Sequence, residues 1–235
     1  MSASSVPRAG SDASSGTQDA PFSLRARLAL DLTVVLIGVY VALDVIAQLL
    51  PPHYSPISQA ESELAVGPYG YVMTVNFVIR GALSASFLVG LNATTGIWSR
   101  SRVGVAFLWV WAIGAFLLAA FPADLGTTLT TLHGELHFFI ALAAFVGAAV
   151  GSVLLARHFR EEERLQGIAT VSLAVALLSA LSLVVFVTIT PRIPFLFDNA
   201  YGLIERIFIG SVLLWMLLPS VHLVRVDRIP SAQRP

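Results

Sequence analysis

Residues 131–156 read "TLHGELHFFIALAAFVGAAVGSVLLA". From Phe138 to Ala156 no charged residue occurs. A helix needs about 20 apolar residues to cross a bilayer, and this stretch supplies them. Five more runs of the same kind follow the same rule, at about 24–50, 68–95, 103–121, 166–190 and 201–224, with the opening one spanning about 128–156. Gly67-Pro68 opens the second, Phe121-Pro122 ends the third and Pro191 stops the fifth. The sequence thus predicts an all-α, polytopic membrane protein, a bundle of six transmembrane helices.

Composition agrees. Of 235 residues, 56% are hydrophobic and only 12% charged, and the mean hydropathy is +0.80. A soluble domain carries about a quarter of its residues charged. The net charge is +0, which gives no basic footprint for nucleic acid. There is no cysteine, which excludes disulfides, thiolate nucleophiles and Cys-ligated zinc. The first apolar run is too long for a cleaved signal peptide, and no small-residue cleavage site follows it.

Residues 1–22, "MSASSVPRAGSDASSGTQDAPF", have the composition of a disordered tail. The expected organisation is that tail, one six-span domain over 23–226, and a short tail over 227–235. Every basic residue is arginine. Arg25, Arg27, Arg100, Arg102, Arg157, Arg160, Arg164, Arg225 and Arg228 all fall at one end of the bundle, and the opposite loops hold only Arg192. The positive-inside rule then puts both termini in the cytoplasm. The loops 52–66, 122–127 and 191–200 face outward, and Ser58 with Glu61 fits a capping box that would start a short helix.

The unusual polar groups lie toward those outward loops. Tyr40, Asp44 and Gln48 form one helical stripe, and Asn76, Arg80 and Ser84 another. A charge at the bilayer centre costs about 2.5–3.5 kcal/mol on the lenient scale. Asp44 and Arg80 should therefore face the interior, either as an ion pair locking two spans or as the wall of a ligand pocket. Glu63, Asp124, Glu205 and Arg206 join them at the same end. His133 and His137, four apart, share a face about 40° wide, continued by Ala141, Ala144 and Ala148. That spacing suits two imidazoles on one metal ion, here zinc, with Asp124 as a third ligand. His53, Glu63, Asp198 and Glu205 are alternatives for that place. The same histidines could instead bond loop carbonyls or nearby carboxylates. Glu135 points elsewhere. Gly147 and Gly151 mark a close helix contact. "REEER" at 160–164 reads as a solvated turn, and His158 and His222 as surface groups.

Three stretches carry a family likeness: "HYSPISQAESELAVGPYGYVMTVNFVIRG" (53–81), "FPADLGTTLTTLHGELHFFIALAAF" (121–145) and "YGLIERIFIGSVLLWMLLPSVHLVR" (201–225). Together they resemble the bacterial and archaeal membrane family known as domain of unknown function 998. The resemblance points to the loop Ser62–Gly70, to Asp124, His133 and His137, and to Glu205-Arg206; the expected location of the six spans is the cell (plasma) membrane. Relatives often carry Gln at the place of Glu205, so the resemblance implies that a required acid is less expected there. The family is similar in outline to DRAM-type proteins of lipid homeostasis. It is more loosely similar to alkaline ceramidases, in which histidines, an aspartate and a serine surround zinc.

Two functions from different classes follow. The first is binding of a lipid head group or small polar ligand in an outward pocket lined by Asp44, Glu63, Asn76, Arg80 and Arg206, with Arg80 and Arg206 as anion contacts. The second is a zinc-dependent hydrolase of membrane lipid, with His133, His137 and Asp124 on the metal and Asp124, Glu205 or Ser62 as catalytic candidates. A transporter is the third, and it would require polar groups at mid-depth and an inner exit, which the sequence lacks. In every case the bilayer is the partner and nucleic acid is not.

Overall fold

The computed structural model describes residues 22–125 and 131–228. Of the tails expected at 1–22 and 227–235, residues 1–21 and 229–235 lie outside the described residues, as does part of the loop expected at 122–127, whereas Asp227 and Arg228 still belong to the last helix. The chain forms α1 (Leu24–Leu49), α2 (Gly70–Thr95), a one-turn α3 (Ile97–Arg100), α4 (Arg102–Ala120), α5 (Leu132–His158), α6 (Gln166–Val184) and α7 (Pro194–Arg228). All but α3 belong to the six segments long and apolar enough to cross a membrane. The fifth of these runs on beyond α6 through a π-helical turn, Val185–Ile189, and a 3-10 turn, Thr190–Arg192.

The long helices pack as a ring in the order α1, α2, α4, α5, α6, α7, closed by α7 against α1. Small residues set the closest contact, between α4 and α5. A Cβ on Gly147 would stand 2.5 Å from the Phe107 carbonyl oxygen, and one on Gly151 would stand 2.9 Å from that of Gly104. Small-xxx-small faces let helices approach in lipid, where apolar burial gives no net drive. The Ala144 and Ala148 stripe is spent the same way: Ala144 lies under Gly114 of α4. Aromatic side chains fill the ring's centre. Phe145 meets Phe208 at 4.8 Å between centroids, and Phe159 stacks on Trp215 at 6.1 Å. Outside, Leu28, Val35, Val45, Phe139 and Leu181 stand exposed, as suits a lipid-facing surface.

The arginine-rich end is tied by polar contacts. Arg27 pairs with the buried Asp227, whose carboxylate also accepts from the Phe22 N–H at 2.8 Å. Arg100 pairs with Glu162 at 2.9 Å, and Arg164 donates to the Thr94 carbonyl at 2.9 Å. Glu162 and Arg164 therefore tie the 160–164 turn to neighbouring helices, while Arg160, Glu161 and Glu163 stand exposed as expected of a solvated turn. His222 bonds the Arg164 carbonyl at 2.9 Å, so it is no free surface group. Among the described residues no strand occurs.

Two further differences concern the opposite end. α7 begins at Pro194, seven residues before the expected 201, because proline is pre-set for a first helical position. This lifts Asp198 out of the loop and sets Glu205 and Arg206 three turns into a helix. The capping box at Ser58 does not form. The 3-10 turn Glu61–Ala65 starts after Ala60 with no side-chain cap, because the Glu61 carboxylate is turned into the bundle.

Candidate functional site

The connection between α1 and α2 folds back over the end of the ring. Arg206 on α7 bolts it there. Its Nη1 donates to the carbonyls of Pro56 (3.1 Å) and Gln59 (3.2 Å), and its Nη2 donates to the Tyr54 hydroxyl at 2.6 Å. That hydroxyl lies 2.8 Å from both the Gln59 and Ala60 carbonyl oxygens. Burial pushes the Tyr54 phenol up from its ordinary pKa, against the opposing pull of Arg206, so it stays a neutral donor. The approach is close enough to demand glycine at 202: a Cβ there would run into the Gln59 carbonyl. Asp44 completes the bolt, 3.9 Å from Arg206 and accepting from Gln48 at 2.6 Å.

Inside this cover, Glu61 joins α1 and α7, and Tyr40 extends the network to α2. Tyr40 of α1 donates to its carboxylate, and the Glu61 N–H donates to Glu205 of α7 at 2.7 Å. Asn76 of α2 donates to the Tyr40 carbonyl at 3.1 Å. Glu61 is 3% exposed and its Oε2 has no hydrogen-bond partner.

Below lies a cavity of about 650 Å³. Arg80 forms its deep wall. It is 1% exposed, and neither Nε nor Nη2 has a hydrogen-bond partner. The guanidinium instead sits over two rings, 5.0 Å from Phe77 and 4.6 Å from Trp111. Glu61 and Glu205 also line the cavity, and Ser62, Glu63, Asp124 and Asp198 line it too. Phe138, Leu142, Phe145, Phe186 and Phe197 give it an apolar side. Phe138 and Val187 both line it and stand exposed, so the cavity opens between α5 and the π-helical turn, among lipid-facing residues.

His137 lines the cavity as well, with Nδ1 2.7 Å from the Phe121 carbonyl. A carbonyl only accepts, so Nδ1 carries the proton. Asp124 accepts from the Thr131 N–H (3.0 Å) and hydroxyl (2.8 Å), which fixes the helix cap of α5. Gly134 leaves room for it, since a Cβ there would meet the Asp124 carboxylate. His133 stands exposed, with its ring 5.8 Å from that of Phe121. Among the described residues no group of three His, Asp or Glu side chains is placed to hold a metal ion. The donor set proposed for zinc does not fit: one histidine faces out, the other is tied to a carbonyl, and Asp124 serves a cap.

The cavity therefore gathers Ser62, Glu63, Arg80, Asp124, His137 and Glu205, but not Asp44, Asn76, Arg206 or His133. Asp44 and Arg80 do not pair. Asp44 turns to Arg206, and Arg80 to its rings. The sequence places Tyr40 in a helical stripe and Glu61 in a loop, and neither position by itself points to the site. Their only signal was that two polar residues sat among so few.

Six membrane-length helices around a polar, partly lipid-facing cavity define a multi-pass membrane protein. Residues 34–222 match the family model described as protein of unknown function (DUF998), and the chain belongs to that family. No curated protein and no solved structure matches it.

Proposed function

We propose that this protein binds an amphipathic molecule of the membrane by its anionic group. Arg80 takes the anion, and the phenylalanine side of the cavity takes the apolar part. One observation carries the reading: a guanidinium buried to 1% exposure whose Nε and Nη2 have no partner, on the wall of a cavity of about 650 Å³. Nε–H and Nη2–H lie on one edge of the guanidinium plane and form the fork that accepts two oxygens of a phosphate or carboxylate. Two rings hold that plane in place. Each cation–π contact recovers about 2 kcal/mol when desolvated, whereas taking an ion out of water costs several kcal/mol. The remainder is a standing cost that an entering anion removes.

The arginine bias supports a cytoplasmic location for both termini, which puts the cavity and its lateral opening in the outer half of what we take to be the plasma membrane. Arg206, the other basic candidate, is occupied by loop carbonyls and Tyr54 and acts at one remove, by holding the cover. The hydrolase reading lacks its ligand set.

Native mass spectrometry of the detergent-released protein tests this. Wild type should retain a phosphate- or carboxylate-bearing amphiphile that Arg80→Gln loses by about tenfold or more, as loss of a charge-assisted fork implies. Equal retention would overturn the proposal.

A further inference from the structure

We infer that the head group this cavity takes is zwitterionic, with a phosphate on Arg80 and an ammonium that still carries N–H on Glu61, as in an aminoethyl phospholipid. The inference rests on the anion-binding reading and narrows it. Five carboxylates line the cavity, those of Glu61, Glu63, Asp124, Asp198 and Glu205, against the single guanidinium of Arg80. A purely anionic head group would meet one attraction and several repulsions. One that brings its own cation meets both signs.

Glu61 fixes where that cation goes. It is 3% exposed, lines the same cavity and has one carboxylate oxygen already bonded to Tyr40. The other, Oε2, has no partner. Glu205 is less available, since it accepts from the Glu61 N–H. Two residues that line the cavity thus carry unmet buried groups, Arg80 a donor edge and Glu61 an acceptor. Glu61 needs a hydrogen to accept. A quaternary ammonium has none, so it would leave Oε2 unsatisfied while still supplying charge. A site with an unmet buried acceptor discriminates strongly against such an analogue.

The test uses the full chain in detergent, native mass spectrometry, and synthetic phosphatidylethanolamine, phosphatidylcholine and phosphatidylglycerol of one acyl composition. Wild type should hold the ethanolamine lipid about tenfold over the other two. Glu61→Gln keeps an acceptor for Tyr40 but turns Oε2 into a donor, and should cut that preference to about twofold or less. Arg80→Gln should lose all three lipids. Equal binding of the three, or preference for phosphatidylglycerol, with the Arg80 loss intact, would overturn the zwitterion inference and leave the anion reading standing. Binding unaffected by Arg80→Gln would overturn both. Should Glu61→Gln fail to fold, wild type against the N-methyl and N,N-dimethyl lipids decides. Affinity should fall most where the last N–H goes, and a flat series would sink the inference. Soluble O-phosphoethanolamine, added as a competitor, separates the sources. Glu61-dependent binding of it without lipid would support the same head-group chemistry from a free molecule.

Discussion

The backbone N–H of Glu61 donates to the carboxylate of Glu205 at 2.7 Å, across 144 positions of chain. The bond fastens the loop between α1 and α2 to the third turn of α7. Glu205 here is an acceptor for a buried N–H, and an amide oxygen would serve as well.

Glu205→Gln should therefore melt within a few degrees of wild type. Glu205→Leu leaves the Glu61 N–H unmet, which costs about 1–3 kcal/mol. Thermal unfolding in detergent checks this. Equal melting of the two variants would show that the bond does not hold the loop.

Gly202 tests the seat of the same loop. Gly202→Ala puts a Cβ into the Gln59 carbonyl and should lift the cover. The chain has no cysteine, so Ser62→Cys is a clean reporter. Its thiol should react several-fold faster in the Gly202→Ala background. Unchanged labelling would mean that the cover adjusts without moving.

Helix contacts give a contrast between two glycines. A side chain at Gly147 meets the backbone of α4, whereas Gly38 has nothing within 4 Å of a Cβ. Gly147→Val should lose about 1–3 kcal/mol or more through overpacking, and Gly38→Ala should be neutral or slightly stabilising. A reversed order would argue against the α4–α5 contact.

Orientation is checked with single cysteines in whole cells. A membrane-impermeant reagent should label Ser55→Cys and spare Glu161→Cys, if the arginine-rich end is cytoplasmic. The opposite pattern would invert the proposed topology.

Much of the fold could be read from the chain, because a bilayer requires long apolar runs and proline marks their ends. The six spans came out close to their observed limits. The start of α7 did not, since Asp198 and Asn199 made its first turns look like loop. Arg80 was legible as a candidate through its depth alone. Its surroundings were not, because the ring order sets Asp44 toward α7 and leaves Arg80 to Phe77 and Trp111. Arg206 looked like an anion contact, and nothing in its own neighbourhood announced that loop carbonyls some 150 positions away would occupy it. His133 and His137 share a helix face, yet only His137 is buried. Spacing gives direction around a helix but not where that helix meets the bundle surface.

On the proposed function, the Nε and Nη2 of Arg80 stay without a hydrogen-bond partner for the sake of a ligand and not of the fold. The most direct measurement is the melting temperature of delipidated wild type and Arg80→Met, each with and without added phosphatidylethanolamine. Arg80→Met removes a buried charge that no hydrogen bond from Nε or Nη2 satisfies and that two rings offset only in part. The lipid-free variant should melt no lower than wild type, and lipid should raise wild type alone. A variant that melts lower, with lipid shifting both proteins equally, would contradict the proposed role of Arg80.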